Sequence, residues 1–188
     1  MLLIAGLLVP ALSPAVPQPT LLVLGDSLSA AFGLASDEGW VSLLAQRLSR
    51  RGHPHQVVNA SVSGETTAGG LTRLPSLLDR HRPAVLVVQL GANDGLRGLD
   101  LETTRDNLTR LIRLGREAGA RVLLLGIRLP PNYGAAYIER FQAIFPEVAG
   151  REDVPLVPRL LAGVAEDRRL MQEDGLHPLA GAQPQVLD

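Results

Sequence analysis

Short apolar runs alternate along the chain with longer stretches whose apolar residues recur at helical spacing. Leu21-Leu22-Val23-Leu24 is an apolar run closed by Gly25, and it reads as a buried strand. From Trp40 to Leu48 the residues Val41, Leu44, Ala45 and Leu48 share one helical face, and Gly52 and Pro54 stop the helix. Val57-Val58 predicts a second strand. Thr67 to His81 predicts a helix, with Pro75 as a kink or as the start of its second half. Ala84 to Leu90 is apolar apart from Gln89, the signature of a central strand buried on both faces. Leu101 to Ala118 gives the strongest helix, with Leu101, Leu108, Leu111, Ile112 and Leu114 as its stripe and Gly119 as its cap. Val122 to Leu125 predicts a fourth strand, Ala135 to Val148 a helix apart from Pro146, and Val154 to Val157 a weak fifth strand.

Strand–helix alternation of this kind implies an α/β fold, with a parallel five-stranded sheet and helices on both faces. Ligands of such sheets bind outside the carboxyl ends of the strands. Polar and glycine residues should therefore gather just after the strands, and they do. The clusters are Gly25-Asp26-Ser27-Leu28-Ser29, then Asn59 to Thr66, then Gly91-Ala92-Asn93-Asp94-Gly95. A fourth, Asp174-Gly175-Leu176-His177-Pro178, lies near the C-terminus.

Composition removes several alternatives. The 188 residues suit one domain, and 46% hydrophobic with 20% charged residues is a globular balance. A net charge of −1 gives no electrostatic case for nucleic acid. All 18 basic residues are arginine, so neither a Schiff-base lysine nor a P-loop lysine is available. Cysteine is absent, which excludes disulfides, a cysteine nucleophile and a thiolate metal site. His53 and His55 form a His-x-His pair without further ligands, so no metal and no other cofactor is expected.

The first 15 residues read as a signal peptide, with an N-terminal strand or core segment as the plainer alternative. Met1 to Val9 is almost wholly apolar, Pro10 follows, and Ser13 and Ala15 are small residues at cleavage-site spacing. The run is too short to span a bilayer. The expectation is a periplasmic or secreted, monomeric domain over 16–188, without a stable membrane anchor.

The clusters suit acyl transfer. A serine hydroxyl becomes a nucleophile only when a base takes its proton, and Ser27 stands just past a buried strand. Of four histidines, His177 alone has a carboxylate three residues earlier, in Asp174. In a tight turn Asp174 can reach the far ring nitrogen and stabilise the imidazolium. The backbone N–H groups of Ser27 and Gly64 and the side-chain amide of Asn93 can face the developing oxyanion. The absence of a Cβ lets the Gly64 N–H approach closely.

These four blocks in this order resemble the SGNH, or GDSL-type, hydrolase family, and the resemblance runs from about Thr20 to the last residue. Gly25-Asp26-Ser27-Leu28-Ser29-Ala30, Asn93 to Gly98 and Arg128-Leu129-Pro130-Pro131-Asn132-Tyr133-Gly134 are most similar to its bacterial periplasmic esterase and thioesterase branch. The resemblance implies a three-layer α/β/α flavodoxin-like fold and no metal. It implies broad activity on acyl thioesters, aryl esters and lysophospholipids, which are small-molecule substrates. It also implies acyl-chain contacts in the loop after the fourth strand, at Arg128, Leu129, Pro130 and Tyr133. Family members carry a full helix after the histidine block. Here the sequence ends 11 residues past His177, so this helix is expected to be truncated or shortened; Pro178 can start it, with Leu179, Ala182, Val186 and Leu187 as its buried face.

Each residue also has a plainer reading. Ser27 can cap a helix, Gly64 can be a turn glycine, and Asp174 and His177 can be surface residues. Asp26 is read as tying its loop, and Asp94 as structural. Two other functions fit the same pattern less well. One is a carbohydrate O-acetylesterase on the same scaffold. The other is a non-catalytic exported binding module, which the complete set of triad and donor positions disfavours. The Gly-x-Ser-x-Gly elbow of α/β-hydrolases is absent.

Overall fold

A computed structural model describes residues 18–188, so the signal-peptide reading of residues 1–15 lies outside the described residues. The strands are β1 (Thr20–Gly25), β2 (Gln56–Asn59), β3 (Val85–Gln89), β4 (Arg121–Leu125) and β5 (Leu156–Val157). The helices are α1 (Trp40–Arg50), α2 (Thr67–His81), α3 (Ala92–Leu96), α4 (Leu101–Glu117), α5 (Ala135–Glu152) and α6 (Gln183–Leu187). All five strands are parallel, in the order β2-β1-β3-β4-β5. Helix α4 packs against both α2 and α5 on one face, and α1 with α6 covers the other. The result is the expected three-layer sandwich.

Strand order follows from burial. Leu22, Val23, Leu24, Leu86, Val88 and Leu124 are almost wholly shielded, which only central strands under two helical layers can achieve. The sheet order reverses between β1 and β3, the switch point at which folds of this order bind ligands. The Ser27 loop leaves β1 and the Asn93 block leaves β3, so the two flank that crevice.

Besides the short α3, which stands where the sequence reads only a polar cluster, three elements differ from the sequence reading. Helix α5 runs through Pro146, because buried Phe141, Ile144, Phe145 and Val148 hold it to the sheet and offset the lost backbone hydrogen bond. Strand β5 is only two residues long. It is preceded by Pro155, which has no N–H to donate and only accepts from Leu124 N–H at 3.0 Å.

The third difference is the last helix, which starts at Gln183 rather than Pro178. Pro178 instead pairs with Met171 in an antiparallel bridge, and Leu179 is exposed. Pro184 sits in the first turn of α6, where a missing N–H is harmless. Gln183 is buried, and its Oε1 accepts the Trp40 N–H at 3.0 Å, serving the otherwise uncapped start of α1.

Candidate active site

The Ser27 loop is built by its neighbours. Asp26 is fully buried beneath it, and Oδ1 accepts the Leu28 N–H at 3.0 Å, which shapes the turn. Ser29 Oγ donates to Gln89 Oε1 at 2.6 Å, fastening the loop to β3. A Cβ on Gly25 would stand 2.8 Å from the Ser29 side chain and 2.9 Å from Gln89 Oε1, so this turn admits only glycine. Burial pushes the Asp26 carboxyl up to about 6, although hydrogen bonds from Leu28 and Gln89 and the nearby His177 pull the other way.

A short hairpin presents His177, the candidate base. Residues 170–172 run antiparallel to 177–179, through the Met171–Pro178 bridge and the hydrogen bonds from Gln172 N–H to His177 O and from Leu179 N–H to Leu170 O. Asp174 and His177 occupy its turn. Asp174 Oδ1 accepts the N–H groups of Leu176 and His177 at 2.8 and 3.1 Å, which leaves Oδ2 to meet His177 Nδ1 at 2.6 Å. Partial burial raises the Asp174 pKa, but the bonds from the His177 ring and from these two N–H groups outweigh it, and the carboxyl lies below its ordinary value. His177 Nε2 lies 2.8 Å from Ser27 Oγ, across 150 positions of sequence. The structure thus brings together the three residues that the sequence singled out for a nucleophile, a base and its orienting acid.

The oxyanion candidates lie in the loops after β1, β2 and β3. Asn93 is in the first turn of α3, and its Nδ2 donates to Glu65 O at 3.0 Å, which draws the amide toward the Gly64 loop. Gly64 adopts φ +79°, a left-handed conformation that favours glycine. A methyl there would meet only Arg97 Nη2 at 3.4 Å, so backbone conformation, more than close packing, calls for this glycine. Arg97 Nη2 donates to Gly64 O at 2.8 Å. Behind these loops Asp94 is buried and binds Thr67, so it is a structural residue.

A cavity of about 440 Å³ opens beside Ser27 and His177. Arg128, Leu129, Pro130 and Pro131 line it, as does Asn93. Tyr133 does not, contrary to the sequence reading. Its hydroxyl donates to Leu96 O at 2.9 Å and its ring stacks on Tyr137, so it braces the wall from behind. The sequence reading also missed the far wall, formed by Leu161, Ala162, Ala165 and Met171. Leu160 to Ala165 is a small apolar stretch without periodic signal, and nothing local distinguishes it from core. Gly64 is not part of the cavity lining. Among the described residues no group of three or more acidic or histidine side chains could hold a metal ion, and no helix is long and apolar enough to cross a membrane.

Comparison with known proteins gives the family. Residues 23–182 match the GDSL-like Lipase/Acylhydrolase family. The chain is 52% identical over 169 residues to Esterase TesA of Pseudomonas aeruginosa, covering 90% of this chain and 84% of that protein. It is 44% identical to Thioesterase 1/protease 1/lysophospholipase L1 of Escherichia coli K12, covering 90% of this chain and 80% of that protein. The crystal structure of the psychrotrophic esterase EstA from Pseudoalteromonas sp., inhibited by monoethylphosphonate, superposes with a TM-score of 0.86 at 41% identity. That alignment covers 90% of this chain and 92% of that one. With most of its length matched, at such identity and with the same three-layer fold, this chain belongs to the GDSL-like lipase and acylhydrolase family of SGNH hydrolases.

Proposed function

We propose that the protein hydrolyses carboxylic esters and thioesters, with Ser27 as nucleophile, His177 as general base and acid, and Asp174 as the group that orients His177. The observation that carries this reading is the Ser27 Oγ to His177 Nε2 distance of 2.8 Å at the mouth of a mainly apolar cavity. The names of the relatives, an esterase and a thioesterase/lysophospholipase, support the same substrate class.

The ionised Asp174 accepts the Nδ1 proton, so Nε2 is free to take the proton of Ser27. Ser27 Oγ attacks the acyl carbon, and the carbonyl electrons move onto oxygen. The N–H groups of Ser27 and Gly64 and the Asn93 amide stabilise that oxyanion. His177 returns its proton to the departing alcohol or thiol, leaving an acyl-serine. Water then attacks the acyl carbon and gives a proton to Nε2. Collapse releases the acid and restores Ser27. The acyl chain lies along Leu129 and Pro130, with Arg128 at the rim.

The size and apolar lining of the cavity favour medium and long acyl chains over acetyl groups, which weighs against a carbohydrate O-acetylesterase. The domain spans 16–188 and acts as a monomer; its place is the periplasm or outside the cell, which the signal-peptide pattern of residues 1–15 supports. The test is turnover of p-nitrophenyl esters and acyl thioesters from acetyl to palmitoyl, beside Ser27→Ala. Rates should rise with chain length and vanish in Ser27→Ala. Turnover by Ser27→Ala equal to the parent protein would overturn the mechanism, and strict preference for acetyl would favour the O-acetylesterase.

A further inference from the structure

Gln172 lies outside the acyl cavity, yet five hydrogen bonds converge on it, one from the Arg168 guanidinium to its carbonyl and four from the two loops that carry the candidate nucleophile and base. Its N–H donates to His177 O at 2.7 Å, and its carbonyl accepts the Gly175 N–H at 3.0 Å. Its side-chain Nε2 donates to Pro178 O at 3.2 Å within the hairpin and to Phe32 O at 2.8 Å across 140 positions. Apart from the Ser27–His177 contact, hydrogen bonding between the hairpin and the Ser27 loop runs through this amide among the described residues.

Two further features show how closely the amide is fitted. Gly33 stands beside it at φ +75°, and a Cβ there would come within 2.4 Å of Gln172 Oε1. The missing side chain of Gly33 therefore makes room for the amide beside the carbonyl that it binds. Phe32 is 47% exposed, an uncommon placement for a large apolar ring, yet its ring centroid lies 4.6 Å from that of His177 with the planes inclined by 38°. Its N–H donates to Ser27 O at 3.2 Å, so its backbone is tied to the nucleophile on one side and to Gln172 on the other.

We propose that Gln172 is a positioning residue for the reaction, holding the Phe32 carbonyl so that the Phe32 ring stays against His177 and keeps Nε2 in register with Ser27 Oγ. This rests on the triad reading above. The ring restrains the rotation of the imidazole and offers its π-face to the imidazolium that forms as Ser27 gives up its proton. The amide sets the separation of the two loops, and a base displaced by about 1 Å can lose a hundredfold in rate.

The test is a double-mutant cycle with Gln172→Met, which keeps length but removes the amide, and Phe32→Leu, which keeps apolar volume but removes the ring. Each variant of the whole chain is assayed for kcat and KM on one p-nitrophenyl ester, for the rate of phosphonate labelling, and for melting temperature. Gln172→Met should lower kcat and the labelling rate by roughly ten- to a hundredfold, with KM nearly unchanged. Phe32→Leu, at an exposed position that leaves the core intact, should do the same. The double variant should be no slower than the worse single one, because both act through one contact. Additive losses, an unchanged kcat in Phe32→Leu, or a fall in melting temperature without a loss of kcat per folded molecule would overturn the proposal. Ser27→Ala separates the two readings. If it retains turnover the triad fails, whereas if it is inactive and the cycle is additive only the role of Gln172 fails.

Discussion

Asp94 holds the first residue of α2 with both carboxylate oxygens: Oδ2 accepts the Thr67 N–H at 2.9 Å and Oδ1 accepts the Thr67 hydroxyl at 2.5 Å. Asn107 Nδ2 donates to the same hydroxyl at 3.0 Å, closing a buried network. Through it the Asn93 block and the Gly64 loop, carried by different strands, are held as one unit. Asp94→Ala leaves two buried donors without that acceptor, and should cost roughly 3 kcal/mol. In a domain of this size that is a fall of about 6–12 °C in melting temperature. Asp94→Asn keeps one good acceptor and should cost less. Calorimetry of the two variants measures the difference, and equal losses would show that the second oxygen contributes nothing.

Asn93 donates to Glu65 O in the free protein, yet its amide has a second N–H to offer substrate. Asn93→Ala should lower kcat by roughly 10²–10³ while KM changes little, since the interaction strengthens as charge develops. A variant that changes only KM would place Asn93 in substrate binding.

Asp26 and Asp174 should give opposite pH signatures in stability. The folded pKa of Asp26 is raised from 3.8 to about 6, so the native state holds a proton that the unfolded chain has released. That contribution is present below about pH 4, is lost as pH rises through about 6, and amounts to about 3 kcal/mol. Asp174 is lowered, so its contribution is present above the ordinary aspartate value and is lost on further acidification. Asp26→Asn should therefore gain stability relative to the parent protein between pH 4 and pH 7 in urea denaturation. A difference that stays flat with pH would mean that Asp26 titrates alike in both states.

The Tyr133 hydroxyl reaches the site through Leu96, which lines the cavity. Tyr133→Phe keeps the ring and loses one hydrogen bond worth about 1 kcal/mol. It should raise KM for long-chain esters severalfold and leave that for acetyl esters unchanged. A parallel rise for both would mean that Tyr133 acts on the whole site and not on the acyl wall.

Much of this protein was written locally. β1, β3 and β4 are apolar runs bounded by turn residues, and α4 carries a regular stripe ended by Gly119. Both signals depend on neighbours within a few positions and so survive in sequence. The residues after β1, β2 and β3 were legible for the same reason, because glycine and short polar side chains are needed wherever a buried strand opens into a tight turn. The Asp174–His177 pair is also local, since one turn spans it.

Tertiary structure decided the rest. The order β2-β1-β3-β4-β5 placed Ser27 and Asn93 across the switch point, and no local signal encodes strand order. Burial of Phe141, Phe145 and Val148 carried α5 through Pro146, where intrinsic preference alone stops a helix. Tyr133 was turned away from the cavity by the Leu96 carbonyl, and Leu161 and Ala165 became its far wall because β5 delivers them there. Gln172 and Phe32, 140 positions apart, have no sequence pattern that joins them. Periodicity and turn chemistry act over a few residues, whereas these contacts exist only once the sheet has brought distant loops to one edge.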